Sequence, residues 1–408
     1  INKELGERPV VAVVYSHSHV DHFGGVHGVI SEADARSGKV KVIAPENFLH
    51  EAISENVFAG NAMTRRSRIQ YGILLKRSPF GHVDQSIGKN VASGSVGLIA
   101  PNVSISKEFE ELNVDGIRMV FQNVPDTEAP VQMHTWFPEW KALWAGENVT
   151  ATIHNIYTLR GAPVRNAPNW SKQINATIYN FPLVEVLFAP HSWPRWGNKR
   201  VMEVLRAQRD LYANMNNQVL HLANQGVTIN EIHNIYRSPP SLQRQWAARS
   251  YHGAETNNSR AIINRFIGYY DGNPVNLEPL PQPVIARLYV EMMGGSDRII
   301  TKGRELMAQG KYLETGELLN RVVFAEPENQ PARNLLADAF EQIGYQRESP
   351  SVPNSYLNGK PAVALAIFQR PGTNALDTAE QVIATMERVK QDFPPGLERI
   401  LLRALNLD

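Results

Sequence analysis

Three histidines and an aspartate stand within six residues near the start of the chain, in the order His17, His19, Asp21 and His22. Imidazole nitrogens and carboxylate oxygens are the ligands that Zn²⁺ takes when no thiolate is available, and the chain has no cysteine. Alternation along an extended segment places His17 and His19 on one side, and the following turn brings Asp21 and His22 to another. The spacing therefore predicts a site for two metal ions that lie close together.

The elements around this cluster are those of a layered domain. A short β-branched run, residues 10–16, precedes the cluster and is typical of a buried strand, while Gly24 and Gly25 permit a tight turn into a helix. Further strands are predicted at residues 40–46, 116–124, 142–148 and 184–190, and amphipathic helices at 198–222 and 228–236. This mixture predicts an α/β domain in which ligands stand at the ends of strands.

The composition excludes several classes of protein. The 408 residues carry a net charge of +1 and no long run of Lys and Arg, which argues against nucleic acid as the main partner. No apolar run approaches about 18 residues, so no membrane-spanning helix is expected. The absence of cysteine excludes disulfides and thiol catalysis. No secretory signal is visible, but a strand so close to the start needs neighbours, so we expect that an N-terminal segment of the full-length protein is missing.

The cluster resembles the H-x-H-x-D-H signature of the metallo-β-lactamase superfamily. Further blocks are similar to those of the zinc alkylsulfatases, which hydrolyse dodecyl sulfate and related esters; these blocks are residues 127–130, 145–148, 154–161, 191–194, 251–253 and 270–274. The resemblance runs from about residue 9 to residue 350 and keeps the order and spacing of the blocks.

This resemblance implies a fold, a cofactor and a set of metal ligands. The fold is α/β: the αββα sandwich of the metallo-β-lactamases, with its N-terminal part missing, followed by an α-helical dimerisation domain. Two Zn²⁺ ions per chain are implied. Their implied ligands are His17, His19 and Glu128 for one ion, Asp21, His22 and His191 for the other, and Glu147 as a bridge between them. Glu147 and His191 both follow predicted strands, which agrees with this assignment.

The resemblance also implies how a sulfate ester is held. The expected sulfate contacts are Arg160, Asn155 and His252, with Arg160 and His252 as catalytic residues and His252 as a candidate general acid. Three carboxylates against the four charges of two zinc ions leave the site cationic, which attracts an anionic ester. Bound zinc lowers the pKa of a shared water from about 15.7 toward about 7.

One departure from the family leaves the chemistry of attack open. Ile263 stands near the position where related enzymes carry a tyrosine that contacts sulfate. A lost hydroxyl changes how the ester is held, so attack at sulfur and attack at carbon both stay open. For the same reason the sequence does not decide between primary and secondary alkyl esters.

Three regions are predicted along the chain. They are a metallo-β-lactamase-like catalytic domain over residues 1–275, a helical tetratricopeptide-like dimerisation domain over 276–350, and an uncertain segment over 351–408. The helical region predicts a homodimer. Within the last region, residues 356–396 resemble a periplasmic segment of resistance-nodulation-division efflux pumps. No function is inferred from this stretch.

Other residues receive more modest interpretations. Met63, Phe58 and Trp136 either line an apolar channel for an alkyl chain or pack in the core. The remaining histidines are expected to be ordinary surface or core residues rather than ligands; they include His27, His50, His82, His134, His221 and His233.

Taken together, the motifs favour a binuclear zinc alkylsulfatase that cleaves an alkyl sulfate ester to an alcohol and inorganic sulfate. One alternative is another hydrolase of the superfamily that acts on a phosphodiester or a lactam. The other is a non-catalytic, metal-binding protein that only dimerises. Related enzymes are often exported, so a periplasmic or secreted location is expected, with the cytoplasm as the alternative.

Overall fold

Two β-sheets form the centre of the N-terminal region. The structure, a computed structural model, describes residues 2–90 and 94–359. Its strands are β1 (Ala12–Val14), β2 (Lys41–Pro45), β3 (Val103–Ile105), β4 (Phe109–Val114), β5 (Ile117–Asn123), β6 (Met133–Phe137), β7 (Ala142–Trp144), β8 (Val186–Phe188) and β9 (Arg195–Trp196). The first three strands pair in parallel, and β4 to β9 form a second sheet in chain order, with β7 and β8 parallel and the other neighbours antiparallel.

Helices cover both sheets and make up the C-terminal part of the described chain. They are α1 (Asn2–Leu5), α2 (Glu32–Arg36), α3 (Phe48–Ile53), α4 (Gly60–Gln70), α5 (Ala167–Asn180), α6 (Asn198–Asn224), α7 (Ile232–Ile235), α8 (Pro240–Gln243), α9 (Glu255–Phe266), α10 (Gln282–Met292), α11 (Ser296–Ala308), α12 (Tyr312–Ala325), α13 (Gln330–Tyr345) and α14 (Ser351–Asn358). None of these helices is long and apolar enough to cross a membrane.

The layers stack in the order helix, sheet, sheet, helix. Side chains alternate along a strand, so β2 turns Val42 and Ala44 toward Phe48 of α3, while Ile43 enters the core between the two sheets. On the far side of the second sheet, Leu143 and Leu187 pack against α5 and α6 in the largest apolar cluster of the described chain. The predicted αββα sandwich followed by a helical region is therefore confirmed.

Helices α10 to α13 form a separate helical layer with an apolar core of its own. Val290, Ile300, Leu319 and Leu336 are buried together there. These four packed helices agree with the predicted helical region. The predicted domain boundaries stay predictions. Apart from 356–359, the efflux-pump-like stretch lies outside the described residues.

Two predictions of local structure were wrong. The helix expected over 228–236 is reduced to the single turn α7, because residues 229–231 form only a turn before it and Tyr236 is already extended after it. Gly24 and Gly25 lead into a short 3₁₀ turn, Val26–Gly28, rather than into an α-helix.

Candidate metal centre

The first predicted ligands lie on the loop that leaves β1. His17 pairs with Gln132 in an isolated antiparallel bridge, which ties this loop to the second sheet just before β6. Residues Val20–His22 then form a 3₁₀ turn. Gly24 permits the close return of the chain, since a Cβ there would lie 2.6 Å from the main-chain oxygen of Val20. The turn carries the second half of the motif round to another side, as the spacing predicts.

A first buried cluster consists of two histidines and two glutamates. His17 Nε2 lies 3.1 Å from Glu147 Oε2 and 3.6 Å from Glu128 Oε2. His19 Nδ1 lies 3.3 Å from Glu128 Oε2. One ligand atom from each residue falls within 4.8 Å of the others, which is close enough for a single ion to reach all four.

A second cluster lies beside the first. His22 Nε2 and His191 Nε2 are each 3.3 Å from Asp21 Oδ2. Glu147 joins the two clusters, because its Oε2 lies 2.9 Å from His22 Nε2 and its Oε1 lies 3.6 Å from His191 Nε2. The structure thus brings together all seven predicted ligands, with Glu147 in contact with both clusters.

Two turns with left-handed backbone lie next to the predicted ligands that follow strands. Gly146 has φ +54° and turns the chain after β7, so that Glu147 enters the site. Ser192, which follows His191, has φ +92°, and its Oγ accepts a hydrogen bond from the Ala151 amide at 3.0 Å. A non-glycine residue in this region is strained, and the hydrogen bond from Ala151 helps to hold the exposed Ser192 there.

The donor set fits metal ions better than it fits a hydrogen-bond network. Buried Nε2 atoms of His22 and His191 face carboxylates without making a hydrogen bond. Burial, with the nearby charge of His22, lowers the pKa of His17 to about 4, so this ring is neutral and ready to act as a ligand. Burial opposes protonation of His19 as well, but Glu128 and Glu55 raise its pKa to about 10. Metal binding must therefore displace protons.

A cavity of about 270 Å³ opens directly onto both clusters. His19, Asp21, Glu128 and Glu147 form its polar floor. Apolar side chains line other parts of it; they include Val20, Met63, Ile73 and Ile87. The cavity therefore combines a charged end with an apolar wall.

The three predicted sulfate contacts are placed differently. Arg160 and His252 line the cavity, whereas Asn155 does not line it and reaches His252 instead, with Nδ2 3.2 Å from His252 Nε2. Ser86 Oγ lies 3.0 Å from His252 Nδ1. Burial and the neighbouring His154 hold the pKa of His252 well below its usual value. The free ring is therefore neutral, and an anionic head beside it would raise that pKa again.

Four residues around the cavity were missed by the sequence analysis. Glu55, Tyr71, His154 and Arg165 all line it. Arg165 Nη2 lies 2.5 Å from Glu128 Oε1, and His154 Nε2 lies 2.9 Å from Glu147 Oε1. His154 belongs to a block quoted above, but its type alone assigned it no role. The other three lie outside those blocks.

Other predicted residues have other places. Met63 lines the cavity, but Trp136 stacks on Phe181 with ring centroids 5.4 Å apart and packs against the large core cluster. Phe58 is 77% exposed. Ile263 is buried in the same core cluster and does not line the cavity. A tyrosine hydroxyl that is absent at this position is therefore not missing from the cavity lining. Trp136 is thus a core residue.

In a comparison with known proteins, two family models match two different regions of the chain. A family model described as the metallo-beta-lactamase superfamily matches residues 1–191. A second, described as alkyl sulfatase dimerisation, matches residues 228–364. The second match contains His252 as well as the helical layer.

The curated relatives and the solved structure that the chain is similar to are also sulfatases. The chain is 42% identical to an alkyl/aryl-sulfatase of Saccharomyces cerevisiae and 44% identical to an (R)-specific secondary-alkylsulfatase of Pseudomonas sp.. These alignments cover 90% and 86% of this chain but 57% and 54% of the relatives, so the chain spans little more than half their length. The structure of a stereoselective inverting sec-alkylsulfatase from Pseudomonas sp. superimposes with a TM-score of 0.86 at 43% identity, over 88% of this chain and 57% of that one.

Proposed function

We propose that this chain, a member of the metallo-β-lactamase superfamily that carries an alkyl sulfatase dimerisation domain, hydrolyses alkyl sulfate esters to an alcohol and inorganic sulfate. The observation that carries the proposal is the pair of ligand clusters joined by Glu147 beside a cavity that contains Arg160. The named relatives are sulfatases of alkyl or aryl esters, which supports the same reaction class.

The proposed cofactor is a pair of Zn²⁺ ions. His17, His19 and Glu128 would hold one ion, and Asp21, His22 and His191 the other, with Glu147 shared. Nitrogen and carboxylate oxygen ligands without thiolate suit zinc. When bound, zinc supplies Lewis acidity, which lowers the pKa of a water to about 7.

The protein's own residues would hold the ester. The Arg160 guanidinium presents planar, paired donors to the oxygen atoms of a sulfate group. Ser86 contacts His252 Nδ1 and Asn155 contacts His252 Nε2, so one of these two contacts would have to be exchanged for the ester before the ring donates a proton to it. His252 would contact the oxygen that leaves with the alcohol. The charge of the bound head raises the pKa of His252, which makes it a better proton donor once substrate is present.

The apolar wall would take the alkyl chain. Met63, Ile73 and Ile87 lie next to the polar residues of the same cavity, so an ester can place its head on Arg160 and its first carbons on apolar side chains. Burying each methylene group contributes about 0.8 kcal/mol. The proposal therefore includes a preference for esters with a hydrocarbon chain over small polar sulfates.

We also propose that the chain forms a homodimer through its helical region. Residues 228–364 match the dimerisation family, and this range contains exposed apolar side chains on α10, including Leu288 at 49% exposure and Met292 at 77%. Sedimentation of the purified chain tests this directly. A monomer at micromolar concentration would contradict it.

The test of the activity is release of inorganic sulfate from dodecyl sulfate. The zinc-loaded chain should release sulfate, a chelator should stop the release, and added zinc should restore it. Metal analysis should find about two zinc ions per chain. Glu147→Gln should lose both metal and activity, while Glu185→Gln, which removes an acid on the surface outside the site, should keep both. Turnover of a phosphodiester or a lactam with no turnover of dodecyl sulfate would overturn the proposal.

A further inference from the structure

Glu55 is a buried carboxylate for which the proposed reaction gives no role. It lies on a π-helical turn, Ser54–Phe58, between α3 and α4. Its side chain is 6% exposed and lines the cavity. Single turns of π-helix are uncommon and often occur at functional sites. A carboxylate in the ester pocket needs an explanation, because it repels the anion that the pocket is proposed to bind.

Glu55 contacts both the metal cluster and the arginine. Its Oε1 lies 2.8 Å from Arg160 Nη1, and its Oε2 lies 3.3 Å from His19 Nε2. His19 Nδ1 faces Glu128, so Nε2 is the nitrogen of that ring which faces Glu55. Within residues 2–90 and 94–359, Glu55 is the one carboxylate that pairs with Arg160. The residue therefore joins the proposed sulfate contact to a proposed ligand.

The charge of Glu55 changes the balance of the cavity. Its lining carries four carboxylates, Asp21, Glu55, Glu128 and Glu147, and two arginines, Arg160 and Arg165. With two divalent cations bound, the cavity would keep a positive charge, and each carboxylate reduces that charge by one. Without Glu55 the cavity would carry one more positive charge. Because the site is desolvated, one unit of charge has a large effect on the affinity for an anion.

We propose that Glu55 is a specificity-determining residue that shifts the relative affinity of the cavity away from doubly charged anions and toward singly charged ester heads. A sulfate ester carries one negative charge, whereas inorganic sulfate and, near neutral pH, phosphate monoesters carry close to two. Repulsion between Glu55 and the bound anion grows with the charge of the anion. Arg160 is available to contact either kind of anion. The residue would therefore disfavour phosphate monoesters and help the product sulfate to leave. This inference rests on the proposed function.

The experiment compares the affinities of two anions that differ in charge. Inorganic sulfate and methanesulfonate are titrated calorimetrically into the zinc-loaded protein, so no turnover is required. Glu55→Gln keeps the shape and removes the charge. We expect it to tighten sulfate binding about tenfold and methanesulfonate binding about threefold or less, because the extra charge of sulfate interacts with the missing carboxylate. The ratio of the two affinities is the quantity tested.

Matched variants separate charge from structure. Glu55→Asp keeps the charge and should keep the ratio of wild type. Glu51→Gln removes an acid from the neighbouring helix α3, outside the cavity lining, and should also leave the ratio unchanged. If Glu55→Gln does not fold, Glu55→Ser removes the same charge with a smaller side chain and is measured instead. Metal content is measured for every variant.

The outcomes are distinguishable. An unchanged ratio, or weaker sulfate binding, in the folded and metal-loaded Glu55→Gln protein would overturn the inference and leave Glu55 a structural partner of Arg160. A changed ratio in a protein that never releases sulfate from an ester would uphold the inference about the anion and refute the proposed activity.

Discussion

The Arg165 guanidinium lies with Nη1 2.8 Å from Nδ1 of His154, and this contact fixes which nitrogen of the His154 ring carries the proton. A guanidinium only donates, so Nδ1 must accept and the proton must lie on Nε2. That nitrogen faces Glu147 Oε1 at 2.9 Å and donates to it. Although His154, His252 and Glu147 lie close enough to resemble a third group of possible metal ligands, His154 is therefore a hydrogen-bond donor to Glu147.

His154 should hold Glu147 in place for metal binding. Its replacement by Asn removes the donor near Glu147, whereas Gln places an amide nitrogen close to where Nε2 was. Partners of metal ligands typically contribute ten- to hundredfold to metal affinity. We expect His154→Asn to weaken zinc binding by about that factor and His154→Gln to recover most of it, measured by competition with a chelator. Equal loss in both variants would contradict an orienting role.

Asn354 of α14 should support the wall of the cavity from the helical region. Its buried Nδ2 donates to the main-chain oxygens of Gln70 at 3.1 Å and Asp84 at 3.3 Å. The side chain of Gln70 in turn accepts from Thr158 Oγ1 at 3.0 Å and from the Arg160 amide. Asn354 thus reaches the proposed sulfate contact through one intermediate residue.

Removal of the Asn354 amide should be felt in both stability and substrate binding. Asn354→Ala leaves two carbonyls without this donor, which costs about 1–3 kcal/mol of the free energy of unfolding. We expect the KM for dodecyl sulfate to rise severalfold with unchanged zinc content. Asn358→Ala is the control. Asn358 also lies on α14 but is more exposed, and its Nδ2 donates to α4 only at the main-chain oxygen of Ile69, at 3.1 Å. Equal effects of the two changes on KM would refute a specific role for Asn354.

The sequence was most informative where a motif and a strand coincide. The β-branched run before His17 forms β1, and the alternation and turn expected from the spacing bring Asp21 and His22 beside the first cluster. Glu147 and His191 follow short strands that pair with each other, β7 and β8, so their ends meet at one edge of the sheet. Such features depend on residues that are close together in the sequence, so the sequence alone can predict them.

The sequence was least informative where a residue acts through distant partners. Glu55 meets Arg160 across more than a hundred residues, and it reaches the cavity from a π-helical turn for which no motif exists. Arg165 is one arginine in a loop until the fold places Glu128 against it. Trp136 suits an apolar channel and a core equally well by type, and only packing decides between them. Contacts of this kind depend on tertiary structure.

Arg160 should be the side chain whose loss most weakens binding of the ester head. A hydrogen bond to a charged group contributes about 1.5–3 kcal/mol, which is roughly a ten- to hundredfold change in binding. We expect Arg160→Gln to lower kcat/KM for dodecyl sulfate by at least that factor, and Arg160→Lys by less, because lysine keeps the charge without the paired donors. Arg66→Lys, which alters an arginine that contacts Tyr157 and the Leu159 carbonyl instead, serves as the control. A kcat/KM within threefold of wild type in Arg160→Gln would exclude the assigned contact.

His134 should make the folded state sensitive to acid. It is fully buried, with Nδ1 3.0 Å from Thr177 Oγ1 and Nε2 3.0 Å from Asn148 Nδ2, and burial lowers its pKa to about 3. The unfolded chain, with an ordinary histidine pKa near 6.5, binds more protons between these values, so this contribution to stability is complete above about pH 6.5 and is lost as the pH falls. At about 1.4 kcal/mol per pKa unit, roughly 2 kcal/mol is lost by pH 5. Denaturant unfolding of metal-free protein at pH 8 and pH 5 should therefore show a larger loss of unfolding free energy in wild type than in His134→Gln, which cannot titrate. The histidines proposed as metal ligands are present in both proteins, so their contribution cancels in the comparison. Equal losses would show that His134 does not carry this pH dependence.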